Sequence, residues 1–544
     1  MRASGSPEIG AAHRARIDAS GTRAARARRA QTRAAPTTPP RHRAPRPDRT
    51  RRANGNTSLR AQACRNNRCN NGVFTRVVAM PSALYAFIAP LIVACALFME
   101  SVDANIIVTA LPAMARDFGQ NPVTLNIAIT SYVVGLGVFI PICGWLADRF
   151  GARTVFRTAI GIFVAGSLLC AASNNLELFT FARFVQGVGG AMMVPVGRII
   201  IFRAVPRTEL VRAMNYLSVP ALFGPAAGPL LGGFITTYLH WRLIFFINVP
   251  IGILGIYLAN RHIANTHELD PGPLDGFGFV LSAAGAALLL MGLTLLDGAL
   301  VTRGAALAMG ATGAALLGGY VLYARRVERP VLDLRFLRIP TYHASVVGGS
   351  LFRIGLGAVP FLLPLALQEG LGMSAFHSGA ITCASAVGGA LTRMLAPRTL
   401  KRFGFRTVLM YNAAFSGLAI AAYGVFHPGM STLAIWLIVL VGGIFPALQF
   451  TSLNSMIYAE IAARDAGRAT SLGSVVQQMS LGLGVTVAAL VLHVSHWAQG
   501  HPAMVWSDFW PAFVVVGLCS FASIPITRRL SPNAGDEVAR GKRG

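Results

Sequence analysis

The chain has 544 residues, 54% of them apolar and 13% charged, with 57 glycines and a formal net charge of +27. Its apolar-plus-glycine share is far above the ~45–50% of soluble proteins and its charged share about half the usual ~25%. Together they exclude a soluble globular enzyme and a disordered chain, and seven cysteines are too sparse for a disulfide scaffold. What remains is an all-α polytopic membrane protein with a basic excess to be located.

Residues 1–79 hold 18 arginines against Glu8, Asp18 and Asp48, and they are rich in Ala and Pro with no apolar period, so they cannot bury a core. Three readings fit this tail: a basic arm for nucleic acid or anionic lipid, a transit peptide, or a segment upstream of a true start at Met80. The start at Met80 is preferred because a membrane span follows almost at once, so no nucleic-acid partner is expected.

A hydrocarbon core about 30 Å thick takes roughly 20 apolar residues per helix. From Met80 onward such segments fall at 83–110, 124–146, 155–173, 178–203, 213–237, 242–260, 277–297 and 304–324, then at 343–367, 376–396, 407–426, 431–458, 468–494 and 508–527. That predicts fourteen spans. Arginine is concentrated in alternate loops (Arg149 and Arg153; Arg203, Arg207 and Arg212; Arg325, Arg326 and Arg329; Arg398, Arg402 and Arg406), while the opposite loops carry only Arg116, Arg242 and Arg303. By the positive-inside rule both termini are cytoplasmic.

The loop after span 2 reads Arg149-Phe150-Gly151-Ala152-Arg153-Thr154-Val155, and the loop after span 10 reads Arg402-Phe403-Gly404-Phe405-Arg406-Thr407-Val408. Five residue types recur in order at topologically matching places. This predicts two six-helix halves, 80–265 and 341–529, with two inserted helices and a cytoplasmic linker over 266–340 and a cytoplasmic tail over 530–544. Parallel repeats about an axis along the membrane normal are the major facilitator architecture, with substrate bound near the midplane between the halves.

Five ordered motifs resemble the major facilitator superfamily, specifically its fourteen-span drug:proton antiporter branch (EmrB/QacA-like). Gly144-Trp145-Leu146-Ala147-Asp148-Arg149-Phe150-Gly151-Ala152-Arg153 resembles the family's loop motif between spans 2 and 3, with Ala152 where a basic residue is common. Arg183-Phe184-Val185-Gln186-Gly187-Val188-Gly189-Gly190 is similar to the span 4 motif, and Gly224-Pro225-Ala226-Ala227-Gly228-Pro229-Leu230-Leu231-Gly232-Gly233 to the span 5 antiporter motif. Trp241-Arg242 with Phe246-Ile247-Asn248-Val249-Pro250-Ile251-Gly252 resembles the opening of span 6, and Val102-Asp103-Ala104-Asn105 through Pro112 the acidic signature of span 1.

The resemblance implies proton-coupled efflux of small amphipathic compounds by alternating access, in a bacterial cytoplasmic (inner) membrane. No cofactor is implied beyond the proton gradient, and the implied partners are substrate, protons and membrane lipid, with a periplasmic adaptor and outer-membrane channel as further candidates. A dedicated exporter of one metabolite is the alternative. A non-transporting sensor or enzyme would need a soluble domain or catalytic constellation, and none stands out; nor do His residues cluster at metal-ligand spacing.

Asp103 lies well inside span 1, where a carboxylate is expensive and functional by default. Glu100 is three residues earlier on roughly the same helix face, and two close carboxylates in a low dielectric resist carrying charge together. The resemblance makes Asp103 the proton-coupling acid and Arg183 its modulator. The plain alternatives are that Glu100 only snorkels and that Arg183 only locks span 4 to span 1. Asp148, with Arg149, Gly151 and Arg153, reads as a gating latch, and Gly144 belongs to the same motif. Gly224, Gly228 and Gly232 give span 5 a bare face, with Pro225 and Pro229 as kinks; close packing and a gating hinge both fit. Arg353 is too deep in span 9 to snorkel and is expected to face the cavity or a partner. Gln449, Asn454 and Gln478 are further cavity candidates, with interhelical hydrogen bonds as the preferred reading.

Overall fold

A membrane interior leaves no water for backbone groups, so long apolar runs satisfy their own amides by becoming helices. The computed structural model describes residues 82–205, 210–266, 272–298, 300–462, 465–501, 504–532 and 534, with backbone alone for 82–87, 210–222, 393 and 394. The predicted basic tail over 1–79 and most of the C-terminal tail lie outside the described residues. Among the described residues, twelve helices are each long and apolar enough to cross a membrane: α1 (Ser82–Phe118), α2 (Asn126–Phe150), α3 (Ala152–Ala172), α4 (Leu176–Ala204), α6 (Leu243–His262), α7 (Gly276–Asp297), α8 (Arg303–Ala324), α9 (Pro340–Gly370), α11 (Phe405–Val425), α12 (Thr432–Met456), α13 (Ala466–Gln499) and α14 (Trp506–Arg528). Helix α10 (Ala375–Phe403) supplies a thirteenth as a pair bent by 55°, just ahead of Pro397. At the remaining predicted position runs α5 (Leu210–Tyr238), 29 residues and about 43 Å long at helical rise.

Helix starts follow capping chemistry in the sequence. Asn175 accepts from the Leu178 amide at 2.8 Å to open α4, Asp275 from Gly278 at 2.9 Å to open α7, and Thr302, Ser374 and Ser431 do the same for α8, α10 and α12. The two copies of the repeated loop turn at glycines of left-handed φ, Gly151 at +89° and Gly404 at +74°. That conformation explains why the repeat keeps glycine there.

Packing reproduces the repeat throughout the bundle. In the first half α1 packs on α4, α5 and α6, α2 on α4, and α3 on α4 and α6. Adding eight to each label gives the contacts of the second half: α9 on α12, α13 and α14, α10 on α12, and α11 on α12 and α14. The halves meet through α5 on α10 and α2 on α13, which are also exchanged by the repeat, and through α1 on α9. The inserted helices α7 and α8 pack on each other, and α7 lies against α2 and α13. There Thr294 Oγ1 shares a hydrogen bond with Thr486 at 2.8 Å and donates to Thr130 at 3.5 Å.

Glycines set the closest approaches within each half. A Cβ on Gly228 of α5 would meet Asn105 of α1, one on Gly224 would meet Ser101, and one on Gly232 would meet Thr109 and Ile106. In the second half, Gly357 of α9 abuts Leu481 of α13, and Gly484 of α13 abuts Ile354 and Ala358 of α9. Large apolar side chains such as Phe181, Leu254, Tyr411 and Trp497 are exposed on the outside of the bundle, the placement a lipid solvent favours.

Candidate functional site

Asp103 is 1% exposed and projects from α1 into the interior of the first half, where four helices converge on it. Arg183 of α4 donates from Nη1 to Oδ2 at 2.7 Å. Gln186, one turn along α4, and Asn248 at the start of α6 each donate an amide N–H to Oδ1 at 2.8 Å. Both amides also reach the Ser167 hydroxyl of α3, at 2.8 and 3.1 Å, and Ser167 donates to its own helix at Phe163 O. Arg183 makes a second, 2.5 Å hydrogen bond to Gln186 Oε1, and its guanidinium lies 4.3 Å from the centre of the Tyr132 ring of α2. The pair is thus desolvated and closely coordinated, the condition under which buried charges are tolerated.

Glu100 does not join this cage. It accepts from the Tyr132 hydroxyl at 3.4 Å, so Tyr132 stands between the two acidic positions, its ring under Arg183 and its hydroxyl toward Glu100. The neighbouring ring of Phe181 does not bury Arg183, being 59% exposed on the bundle surface. Sequence reading singled out Asp103 and Arg183 but missed Ser167, Gln186, Asn248 and Tyr132. Gln186 and Asn248 are polar residues inside motifs already quoted, which was a usable signal; Ser167 sits in an apolar helix and gave none.

At the end of α2, Asp148 pairs at 2.6 Å with Arg203 of α4, a partner the sequence did not suggest. Arg153 instead donates to Ile263 O at 3.3 Å, and the Asn265 side chain accepts from Thr154 N at 3.2 Å while lying against Gly151. The loop is therefore tied to α4 through charge and to the segment after α6 through backbone contacts. Trp145, beside Gly144, donates to Gly272 O at 3.0 Å. At the opposite end of the bundle, Asp117 accepts from Trp241 Nε1 at 3.0 Å and from Arg242 at 2.5 Å, and Arg242 also donates to Ser173 O. The Trp-Arg pair of the span 6 motif thereby staples the ends of α1, α3 and α6.

A cavity of about 480 Å³ lies between the halves. Its walls come from α1 (Asn105, Val108), α5 (Pro225, Pro229), α9 through α12, and Leu481 of α13. The lining is apolar except for Asn105, Thr382, Ser385, Tyr423 and Thr451, and contains no carboxylate, lysine or arginine. Two direct hydrogen bonds described between the halves, Gln368 to Thr109 O at 3.2 Å and Phe376 N to Thr237 at 3.0 Å, lie at the end opposite the Arg149–Arg153 loop. Asn105, two residues from Asp103 on α1, faces the cavity while Asp103 faces away from it.

Arg353, Gln449, Asn454 and Gln478 are not among the residues lining this cavity. Gln449 is fully buried within the second half, donating to Leu409 O at 3.1 Å and accepting from Asn412 at 3.2 Å. Arg353 donates to Ser345 O at 3.1 Å and to Asn454 Oδ1 at 3.0 Å, with its guanidinium 5.8 Å from the Phe450 ring. Arg353 and Gln449 sit behind the wall because α9 and α12 turn proline, glycine and apolar residues into the space between the halves. Among the described residues no group of three or more His, Cys, Asp or Glu is placed to hold a metal ion.

Residues 93–485 match the sequence family described as the Major Facilitator Superfamily. A protein of Serratia proteamaculans bearing the name multidrug resistance protein MdtD is 35% identical over 446 residues, covering 80% of this chain and 92% of its own. Its namesake in Klebsiella pneumoniae is 36% identical, over 82% and 94%. Among solved structures, an auto-inhibited POT family peptide transporter superposes with a TM-score of 0.60 at 18% identity, covering 82% of this chain and 97% of its own. A D-xylose-proton symporter superposes with a TM-score of 0.56 at 16% identity, over 82% and 99%. At those identities the superpositions speak for the fold alone.

Proposed function

Because the chain belongs to the Major Facilitator Superfamily, we propose that it exports small amphipathic compounds in exchange for protons, by alternating access of the cavity between its halves. The observation that carries the reading is the fully buried Asp103–Arg183 pair, held inside one half and joined to the cavity wall by a single helix. Relatives named for multidrug resistance support the substrate class. So does a cavity whose apolar walls carry a few neutral hydrogen-bonding groups, the usual composition of a small-molecule site.

In this reading the Arg149–Arg153 loop faces the cytoplasm of a bacterial inner membrane, as the arginine asymmetry favours. A proton on Asp103 cancels its charge and frees Arg183. Gln186 and Asn248 are neutral amides and can serve either protonation state, so the cage survives the loss of the ion pair. Arg183 keeps Gln186 Oε1 and the face of Tyr132. The three glycines of α5 seat it against Ser101, Asn105 and Thr109 of α1, so a shift of α1 is passed to Pro225 and Pro229 in the cavity wall. Proton occupancy and cavity shape are then two readings of one helix position, which is the differential contact that coupling requires.

The test is accumulation of an amphipathic dye in proteoliposomes under an imposed pH difference, comparing wild type with Asp103→Asn. The variant is expected to fall to the level of protein-free vesicles. Continued uphill accumulation by the variant would overturn the coupling assignment.

A further inference from the structure

The second half buries a cation that has no counter-ion among the described residues. Arg353 is 1% exposed, yet its described partners are the neutral oxygens of Ser345 and Asn454. Its Nε is buried and without a hydrogen-bond partner. The Nε of Arg183 is also unpartnered, but Arg183 has Asp103 to balance its charge. Between 341 and 529 the carboxylates are Glu369, Glu460, Asp465 and Asp508, and each lies in a loop or at a helix end. An uncompensated guanidinium in such a place is costly unless something supplies the opposite charge.

The surroundings place that charge's source at the cavity. Phe450, whose ring stands beside the guanidinium, is a cavity wall, and so is Leu356, one turn beyond Arg353 on α9. Asn454 lies one turn beyond Phe450 and Thr451 on α12. Arg353 and Asn454 therefore form the layer immediately behind the cavity, with the half-buried Phe450 ring between. The guanidinium is folded back over the bare Cα of Gly349 toward the carbonyl of Ser345, inside a π-helical turn, Ala344–Gly348. Such turns free backbone carbonyls from the regular ladder and recur at functional sites.

We propose that Arg353 is the anion anchor of the cavity, so that the favoured substrates are amphipathic anions: an apolar body in the cavity with a carboxylate that reaches the guanidinium past a rotated Phe450 ring. Side-chain rotation of that size is common on binding. A guanidinium is suited to the task because its planar fork matches a carboxylate in two parallel hydrogen bonds. This assignment rests on the export reading and narrows its substrate class.

The experiment uses the full chain in lipid nanodiscs and two probes of one shape, 1-naphthaleneacetate and the neutral 1-naphthaleneacetamide, at neutral pH where the acid is ionised. Wild type is expected to bind the acid at least about tenfold more tightly than the amide, a modest return for a desolvated charge pair. Arg353→Gln should bring the acid down to the affinity of the amide, and Arg353→Lys should retain part of the preference. Asn454→Asp, which supplies an internal counter-ion while keeping nearly the same shape, should abolish the preference even if Arg353→Gln fails to fold. Equal affinities in wild type, or a preference that persists in Asn454→Asp, would overturn the proposal. Accumulation of the amide in proteoliposomes under a pH difference tests export separately, since it involves no anion.

Discussion

The two halves share one packing scheme and one loop motif but differ in how they handle buried charge. In the first half, Asp103 on α1 faces Arg183, and both oxygens of its carboxylate accept hydrogen bonds from the cage. In the second, α9 is the repeat partner of α1 and carries Arg353, whose partners among the described residues are neutral acceptors. The fold treats α1 and α9 alike; the side chains divide the work. A compensated pair can change its charge by taking one proton without leaving the interior, which suits coupling. An uncompensated cation beside an apolar cavity suits recognition.

The sharpest way to break this comparison is to remove one charge from the balanced half. Arg183→Ala leaves Asp103 buried without its partner and is expected to cost about 3–5 kcal/mol, whereas Asp103→Asn with Arg183→Gln should cost much less. Thermal unfolding of the two variants in nanodiscs checks this, and equal losses would mean that the pair is not a coupled unit. A smaller effect is expected at the α1–α5 seam. Gly228→Ala places a Cβ 2.7 Å from that of Asn105 and against the α1 backbone, so α5 must move off α1 at a cost of about 1–3 kcal/mol. Transport should fall further than stability does, because the seam also carries the coupling; a proportionate fall in both would make the seam mere packing. The smallest effect distinguishes the repeated loops. Gly151→Ala and Gly404→Ala both put a side chain on a residue of positive φ and extended ψ, at a cost of about 1–3 kcal/mol. Gly151→Ala adds a collision with the Asn265 side chain, while nothing lies within 4 Å of the corresponding Cβ at Gly404. The first-half variant should therefore be the less stable of the two by the same melting measurement.

Most of the fold was legible because a bilayer makes span length and arginine placement strong signals, and because the Arg-Phe-Gly repeat announced the two halves. The Asp103–Arg183 pairing was legible too, since intramembrane charges must find partners. The rest of the cage was legible only in part: Gln186 and Asn248 stand inside the quoted motifs, but Ser167 comes from the apolar helix α3, and nothing in one dimension says which faces of apolar helices meet. At Gln449 the sequence left a cavity role open beside the favoured interhelical hydrogen bond, because nothing in one dimension says which way a polar side chain on a largely apolar helix points. It points into the half. Arg203 escaped notice as the partner of Asp148 because the loop arginines nearer in sequence, Arg149 and Arg153, were the obvious candidates.

The central claim is that one buried carboxylate exchanges its proton as the cavity fills. Proton release from the purified protein in weakly buffered solution, on addition of an amphipathic ligand, tests it without a membrane gradient. Wild type is predicted to release protons on ligand binding, and Asp103→Asn to bind ligand and release none. Release of the same size from Asp103→Asn would contradict the account and place the coupling proton elsewhere.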